Sequence, residues 1–414
     1  MIKKSAIYLV SNIANSAIPF LLLPVLTRTL SQEEYGEVAI FQTLLFALNS
    51  VVGISAHGLA NRKYFENINR KELAMFYGDC FYVLLASTGV CFILTLFFGG
   101  WISGIIGIKL QFLYIGIVVS LFNFIVQFKL NIYQVQSKAL NFGILQISKS
   151  LLNVIFSLVL VVSYGLGSEG RIDAQMYSSA FFAIFVIAIF IRDKKIILSK
   201  PKYVREIVSF GVPLIPHLFG FFLINSLDRI VISNELGMTY AGIYMVAVQF
   251  SLAIHIIFDA QNKALVPWLF AKLEKNNSKD KRRIVCLTYK YFGLLVLVAI
   301  LCFIVVPYVV LLVAGSGYEE SASIVGYLCL GQIFNGMYLM VTNYIFFAKR
   351  TGGLSLVTVS SGILNIILLL FLVEQYGING AAYSFVISKM CQFLGTWLLA
   401  SKVYDMPWIN YKYE

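Results

Sequence analysis

The sequence predicts an all-α integral membrane protein. Twelve transmembrane helices are expected as two six-helix bundles, related by an internal parallel repeat and enclosing a central cavity. Three observations carry this expectation: an apolar composition, a dozen apolar runs of membrane-spanning length, and residue matches between the two halves. Of 414 residues, 59% are hydrophobic and 13% charged, against ~25% charged in an ordinary soluble domain. Mean hydropathy is +0.82, which excludes a soluble globular enzyme as the default. Spans of roughly 20 residues each take up more than half of the chain and leave only short connections.

The apolar runs fall at 6–27, 38–59, 75–98, 110–128, 142–163, 175–191, 207–227, 242–262, 287–313, 322–346, 354–373 and 379–400. The first follows Met1-Ile2-Lys3-Lys4 and continues to Thr27 without a small-residue cleavage site, so it reads as a retained helix rather than a signal peptide. Segments 101–110 and 226–234 extend their neighbours. Pro19 and Pro24 in the first run, Pro213 and Pro216 in the seventh and Pro307 in the ninth are tolerable where neighbouring helices satisfy the freed carbonyls. Pro19 and Pro24 are expected to weaken the first helix at places corresponding to Pro213 and Pro216 in the seventh, as helices that bend between two states require. The domains are expected at 1–200 and 201–414.

Basic residues in alternate connections fix the orientation. The side holding the N-terminus collects 25 of the 32 Lys and Arg, including Arg192 to Arg205 and Lys263 to Arg283 in the two longest connections. The other side has Arg28, Lys109, Arg171 and Arg229; Lys149, Lys290 and Lys389 sit in or at the ends of spans. Both termini are therefore expected in the cytoplasm. The formal net charge of +12 is largely topological and implies no nucleic acid.

The duplication is visible residue by residue. Phe122-Asn123, Asn131 and Lys138 recur 212 positions later as Phe334-Asn335, Asn343 and Arg350, and Asn153 and Tyr164-Gly165 recur as Asn365 and Tyr376-Gly377. Cys91-Phe92-Ile93 and Gly104 match Cys302-Phe303-Ile304 and Gly315 at offset 211. Apolar composition alone does not explain matched Asn and Gly. Two six-helix halves starting on the same side of the membrane make a parallel repeat, the arrangement of alternating-access transporters.

Chemistry is conspicuous by its absence. The chain has no G-x-x-x-x-G-K-[ST] and no H-E-x-x-H; His57, His217 and His255 are scattered, and the six cysteines lie apart. The outer connections are short, which counts against an embedded polymerase or ligase. Ionisable groups at membrane depth are functional candidates by default. For Arg62, Lys129, Lys263 and Glu374, at helix ends, snorkelling to the headgroups stands beside a substrate role; Lys149, Lys389 and Asp259 lie deeper and read as cavity-facing or paired. Asn12, Asn15 and Ser16, with Asn225 and Ser226, either line a cleft between the halves or bond between helices.

The run Pro24-Val25-Leu26-Thr27-Arg28-Thr29-Leu30-Ser31-Gln32-Glu33-Glu34-Tyr35-Gly36 resembles the P-x-x-x-R-x-L-(G/S)-x-x-x-(Y/F)-G signature of polysaccharide transporters of the multidrug/oligosaccharidyl-lipid/polysaccharide exporter superfamily. Leu227-Asp228-Arg229, Leu236-Gly237 and Gly242-Ile243-Tyr244 resemble its seventh-helix counterpart. The nearest likeness is to O-antigen flippases of the Wzx type. The resemblance implies a non-enzymatic flippase of a bacterial inner membrane. Its expected cargo is an undecaprenyl-pyrophosphate-linked oligosaccharide, moved from the cytoplasmic to the periplasmic leaflet without a cofactor and driven by a proton or sodium gradient. Besides the lipid bilayer, a polysaccharide polymerase and a chain-length regulator are expected partners.

Pyrophosphate in a low-dielectric cavity needs fixed cations. A cavity between helices 1, 2, 7 and 8 is expected, with Arg28, Arg62 and Lys263 as main pyrophosphate candidates, Lys129 and Lys149 as secondary ones, and Asn12 and Asn225 as polar lining. Asp79, Asp259 and Glu374 are the candidates for ion coupling. The alternatives are a multidrug or small-cation antiporter on the same scaffold, a membrane-embedded polysaccharide polymerase or ligase, and a lipid II flippase, whose kind commonly has two further helices.

Overall fold

Each long apolar run becomes a helix because a backbone in hydrocarbon must satisfy its own N–H and C=O groups. The computed structural model describes residues 2–66, 68–348, 350 and 352–409. Lys349 and Lys412, and the side chains of Lys3, Lys4 and His217, lie outside the described residues. In chain order the helices of the first half are α1 (Ile2–Thr29), α2 (Gln32–Val51), α3 (Ala56–Tyr64), α4 (Arg70–Ile106), α5 (Leu110–Val135), α6 (Ala139–Ser157) with a π turn (Leu158–Ser163), and α7 (Gly167–Arg192). Then follow α8 (Val204–Gly211), a 3₁₀ turn (Val212–Leu214), α9 (Ile215–Asn225), α10 (Leu227–Glu235), α11 (Met238–Glu274), α12 (Ser278–Ala314), α13 (Glu319–Phe347), α14 (Gly352–Tyr376) and α15 (Ile378–Val403). There is no strand among the described residues.

Ten of these segments are long and apolar enough to cross a membrane, and α2 with α3, bent by 48°, makes an eleventh. The last expected run is α15, 26 residues long, or ~39 Å at 1.5 Å per residue. Its lower apolarity has a structural cause: Ser384, Ser388, Lys389, Gln392 and Thr396 are buried inside the protein. A helix whose polar stripe faces other helices need not look apolar as a whole.

The chain forms two compact units. The first comprises Met1–Phe222 and Gly237–Gly242, the second Leu223–Leu236 and Ile243–Glu414. The division falls within α9, beyond the expected boundary at 200, because α8 packs on α3 and α4. Lys63 of α3 reinforces that contact by donating to the Glu206 carboxylate of α8 at 2.9 Å. In the first unit α5 packs on α2, α4 and α7, and α6 on α1 and α7; Phe76, Phe128 and Phe190 form its fully buried centre. In the second, α13 packs against α12 and α15, and α14 against α15.

The repeat persists in the helix lengths. Helices α4 and α12 have 37 residues each, and each starts behind an asparagine cap: Asn69 accepts the Glu72 N–H at 2.8 Å and Asn277 the Lys279 N–H at 2.9 Å. Such caps satisfy N–H groups that have no partner within the helix. Helices α7 and α15 have 26 residues each. The halves differ in where they break. Helix α11 runs unbroken, whereas its counterpart is split into α2 and α3; α1 is unbroken through Pro19 and Pro24, whereas the chain from 204 to 235 is split at Pro213 and again at Ser226. The expected matching weak points thus become a break in one half only. Next to Pro213, Gly211 lies so close to the Ile54 carbonyl that a Cβ there would be 2.0 Å from its oxygen.

Candidate functional site

The break in α2 builds one wall of a polar cavity in the first unit. Gly53, Ile54 and Ser55 all have positive φ, at 76°, 46° and 51°, a conformation glycine adopts freely and a β-branched residue only under strain. Gly53 is needed for space as well, since a Cβ would come within 2.2 Å of the Phe124 ring; its N–H donates to Ser87 Oγ at 2.8 Å. The turn starts α3 beside α5, and His57 meets Phe124 edge-on at 5.7 Å between centroids.

The cavity has a volume of about 470 Å³, within the ~300–1,000 Å³ of small-ligand sites. Asn15, Asn49, His57, Asn123, Gln127, Gln146, Lys149, Ser150 and Gln175 line it, with Val52, Phe124, Val126 and Leu130. Lys149 Nζ donates to Asn123 Oδ1 at 2.6 Å, and Ser179 Oγ donates to the same oxygen at 3.1 Å. Gln42 Nε2 donates to Gln175 Oε1 at 2.8 Å. Arg171 Nη1, one turn before Gln175 in α7, donates to Asn153 Oδ1 at 3.0 Å and Ser157 Oγ at 3.1 Å. Among the described residues, neither Lys149 nor Arg171 has a carboxylate within ion-pair distance. His57 Nδ1 and Gln146 Oε1 are buried without a protein partner.

Two cations held by neutral oxygens keep a positive field in a low-dielectric surround. The amides, hydroxyl and imidazole offer both donors and acceptors. Such a site suits a cargo that combines an oxyanion with many hydroxyl groups.

The second unit repeats part of this chemistry in a closed form. Asn335 Nδ2 meets His255 Nδ1 at 3.0 Å, and Lys389 Nζ donates to Asn335 Oδ1 at 3.5 Å. Lys389 is 3% exposed. Asn343 Nδ2 donates to Asn262 Oδ1 at 2.8 Å. Asp228 is buried between Arg229, at 2.8 Å from Oδ1, and the Tyr244 hydroxyl, which donates to Oδ2 at 2.8 Å.

Of the residues expected to bind pyrophosphate, Lys149 lines the cavity. Lys129 is fully buried nearly two turns before the end of α5, its Nζ 4.4 Å from the Phe190 ring centroid and 5.1 Å from that of Tyr133. Arg28 is exposed at the end of α1; Arg62 is exposed and 3.8 Å from Glu66, and Lys263 is exposed and paired with Asp259 at 2.6 Å. Asn12 is half-buried in α1, and the Asn225 carbonyl accepts from Arg229. Asp79 is buried, and its Oδ2 accepts the N–H groups of Lys202 at 2.8 Å and Tyr203 at 2.6 Å. That carboxylate ties the chain ahead of α8 to α4. Glu374 is exposed near the end of α14. None of the three carboxylates expected to couple ions lines this cavity.

Of the cavity lining, Asn49, His57, Asn123, Gln127, Gln146, Ser150 and Gln175 were not among the expected site residues. A signal for some was present: Gln146, Lys149, Ser150, Asn153 and Ser157 share one face of α6, and Arg171, Gln175, Ser178 and Ser179 one face of α7. Their spacing, rather than their charge, marks the site.

Residues 1–274 match the family model described as polysaccharide biosynthesis protein. Two proteins of Haemophilus influenzae are similar over most of their length. One, encoded at the Lsg locus, is 28% identical over 377 residues, covering 88% of this chain and 89% of that protein; the other, an uncharacterized membrane protein, is 28% identical over 375 residues, 87% of each. Among solved structures, a multidrug resistance MATE family transporter of the MOP superfamily, inward-facing, aligns with TM-score 0.73 at 13% identity, over 95% of this chain and 94% of that one. The lipid II flippase MurJ, in an inward closed conformation, aligns with TM-score 0.71 at 18% identity over 97% and 88%. The chain belongs to the polysaccharide biosynthesis protein family, and its all-helical membrane fold is that of the MATE and MurJ transporters.

Proposed function

We propose that this multi-pass membrane protein is a flippase for an undecaprenyl-pyrophosphate-linked oligosaccharide, an O-antigen or similar repeat unit. It moves the cargo from the cytoplasmic to the periplasmic leaflet of a bacterial inner membrane and catalyses no covalent chemistry. The observation that carries this reading is the cavity of the first unit: nine polar side chains, one of them a lysine, and no carboxylate in the lining. Lys149 would hold a phosphate oxygen by a charge-assisted hydrogen bond. Asn15, Asn49, Gln127, Gln146 and Gln175 would exchange bonds with sugar hydroxyls as these leave water, since a buried hydroxyl without a partner costs several kcal/mol. Alternating access, coupled to a proton or sodium gradient, would complete the cycle. The antiporter alternative requires a carboxylate-lined site for a cation, and the composition of this cavity disfavours it.

The reading is tested in proteoliposomes with a short polyprenyl-pyrophosphate oligosaccharide, following its appearance in the opposite leaflet with and without imposed proton or sodium gradients. Gradient-dependent flipping in the wild type, and its loss in Lys149→Met that remains folded, is expected. Flipping by Lys149→Met at the wild-type rate removes the site assignment; flipping indifferent to both gradients removes the coupling.

A further inference from the structure

Helix α6 has two working faces. Gln146, Lys149, Ser150 and Asn153 face the interior of the first unit; Asn141, Ile144, Leu145 and Ser148, offset around the helix, line a separate pocket of about 530 Å³ that shares no residue with the cavity above. Its other walls come from the end of α5 and the last turns of α7, where Lys138, Arg192 and Lys195 stand with Asp193. Asp193 pairs with Arg192 at 3.3 Å and Lys195 at 3.4 Å. Behind Tyr133, the fully buried Lys129 ammonium has no hydrogen-bond partner and lies within electrostatic reach of Lys195, Lys138 and Arg192. Four cations thus gather around one carboxylate, leaving a net positive site.

Beside Asn141 and Ser148, the remaining lining is mostly apolar, with Ile144, Leu145, Phe182, Phe185 and Ile189. Ile144 and Phe185 are exposed on the surface of membrane helices. Around Ile144 and Ser148 the pocket meets a second hollow, of about 310 Å³, that runs between α6 and α1 past Ile7, Leu140 and Ile147. There α1 approaches α6 at Gly143, where a Cβ would meet Ser11 Oγ at 2.3 Å. A cationic end joined to an apolar groove on the lipid-facing side of a helical unit is complementary to one phosphate carrying one hydrocarbon tail along the helix. Basic pockets between transmembrane helices bind lipid headgroups in this manner.

We infer that the pocket between α5, α6 and α7 is a binding site for an anionic phospholipid of the surrounding bilayer, its phosphate held by Lys138, Arg192 and Lys195 and an acyl chain lying against Ile144. The buried charge of Lys129 adds long-range attraction without touching the headgroup. The site is independent of the cargo cavity, and its occupant is a resident lipid rather than the transported one.

The test counts bound lipid by native mass spectrometry on the full-length protein in detergent, offered equal amounts of phosphatidylglycerol and phosphatidylcholine. Wild type should retain phosphatidylglycerol selectively. The variant Lys138→Gln/Arg192→Gln/Lys195→Gln should lose about a hundredfold in that selectivity, roughly fivefold per basic residue at a lipid surface. A control that removes three exposed cations elsewhere, Lys275→Gln/Arg282→Gln/Arg283→Gln, should keep it. Equal selectivity in wild type and the pocket variant, or equal loss in the control, overturns the proposal. Ile144→Trp fills the groove and keeps every charge, so it should weaken phosphatidylglycerol binding even if the triple variant does not fold; unchanged binding in it overturns the acyl-chain contact. Displacement of the lipid by millimolar inorganic phosphate, or by undecaprenyl phosphate at equal concentration, overturns the phospholipid assignment in favour of a phosphate or cargo site.

Discussion

Asn123 and Asn335 stand 212 positions apart at matching places in α5 and α13, and each accepts a bond from a lysine ammonium. The lysines come from helices that do not correspond: Lys149 belongs to α6, the neighbour that follows α5, whereas Lys389 belongs to α15, the last helix of its half. Their surroundings differ as well. Lys149 opens onto a cavity, while Lys389 is sealed among Asn335, Phe385 and the buried polar stripe of α15. A duplicated scaffold has kept an asparagine acceptor and a cation in both halves and separated their uses. In the first unit the lysine and its asparagine face space that a ligand can enter; in the second Lys389, Asn335 and His255 are bonded to one another.

That contrast is broken most severely at Asp228. Its carboxylate holds both Arg229 and the Tyr244 hydroxyl, in side chains 4% and 8% exposed for the acid and the arginine. Removing one partner of a buried pair leaves an uncompensated charge, at a cost of about 3–5 kcal/mol. Asp228→Ala should therefore lower the unfolding free energy of the purified protein by that amount, read from denaturant titration, with Asp228→Asn intermediate. A change below about 1 kcal/mol would show that the second unit does not depend on its internal ion pair.

Next comes the pair of lysines. Loss of a hydrogen bond to a charged group is worth about 1.5–3 kcal/mol, so Lys149→Met should slow flipping roughly 10- to 100-fold while leaving the melting temperature near that of wild type. Lys389→Met replaces a buried ammonium, held by the neutral Asn335 amide oxygen, with an apolar side chain of similar length, so it leaves no charge unpaired and relieves the cost of burying one. It should retain flipping and melt no earlier than wild type. Equal loss of transport in both variants would mean that the two sites serve the cargo alike.

The break between α2 and α3 supplies a smaller effect. Gly53→Ala forces a side chain into positive φ and against Phe124; positive-φ strain costs of order 1–3 kcal/mol. A melting point lowered in line with that loss is expected, together with weaker binding of cargo by the cavity that the break shapes. An unchanged melting point would show that the break tolerates a side chain and is not what sets His57 in place.

The fold was largely legible because two signals were redundant. Apolar length marks spans, and the recurrence of Asn123 at Asn335 and of Asn153 at Asn365 marks the duplication. Helix α15 was legible as a run despite Lys389, but its polarity could be explained only by the helices packed around it. The site was less legible. Charge directed attention to Arg28, Arg62 and Lys263, which are exposed in the structure, because a long cationic side chain at a helix end reaches solvent as readily as a cargo. Lys149 was legible because depth in an apolar run leaves it no such exit. Neutral residues such as Gln146 and Gln175 carry no cost signal of that size, and what places them together is the packing of α6 on α7, which no single run encodes.

The smallest effect belongs where neither use of polarity applies. Lys109, between α4 and α5, pairs with Glu169 at 2.8 Å, both about half exposed. The hydrogen bond that Lys109 donates to the Glu169 carboxylate holds its ammonium above its ordinary range, so the lysine's share of the pair is fully present below the usual lysine pKa, ~10.4, and is lost as pH rises through the elevated value. Exposed pairs are worth about 0.2–1 kcal/mol, so Lys109→Gln should shift stability by no more than that at neutral pH and leave flipping untouched. Flipping that fell with Lys109→Gln at unchanged stability would mean that a surface pair takes part in the cycle, and the separation of ligand-facing from self-satisfying polarity would have to extend to the outer loops.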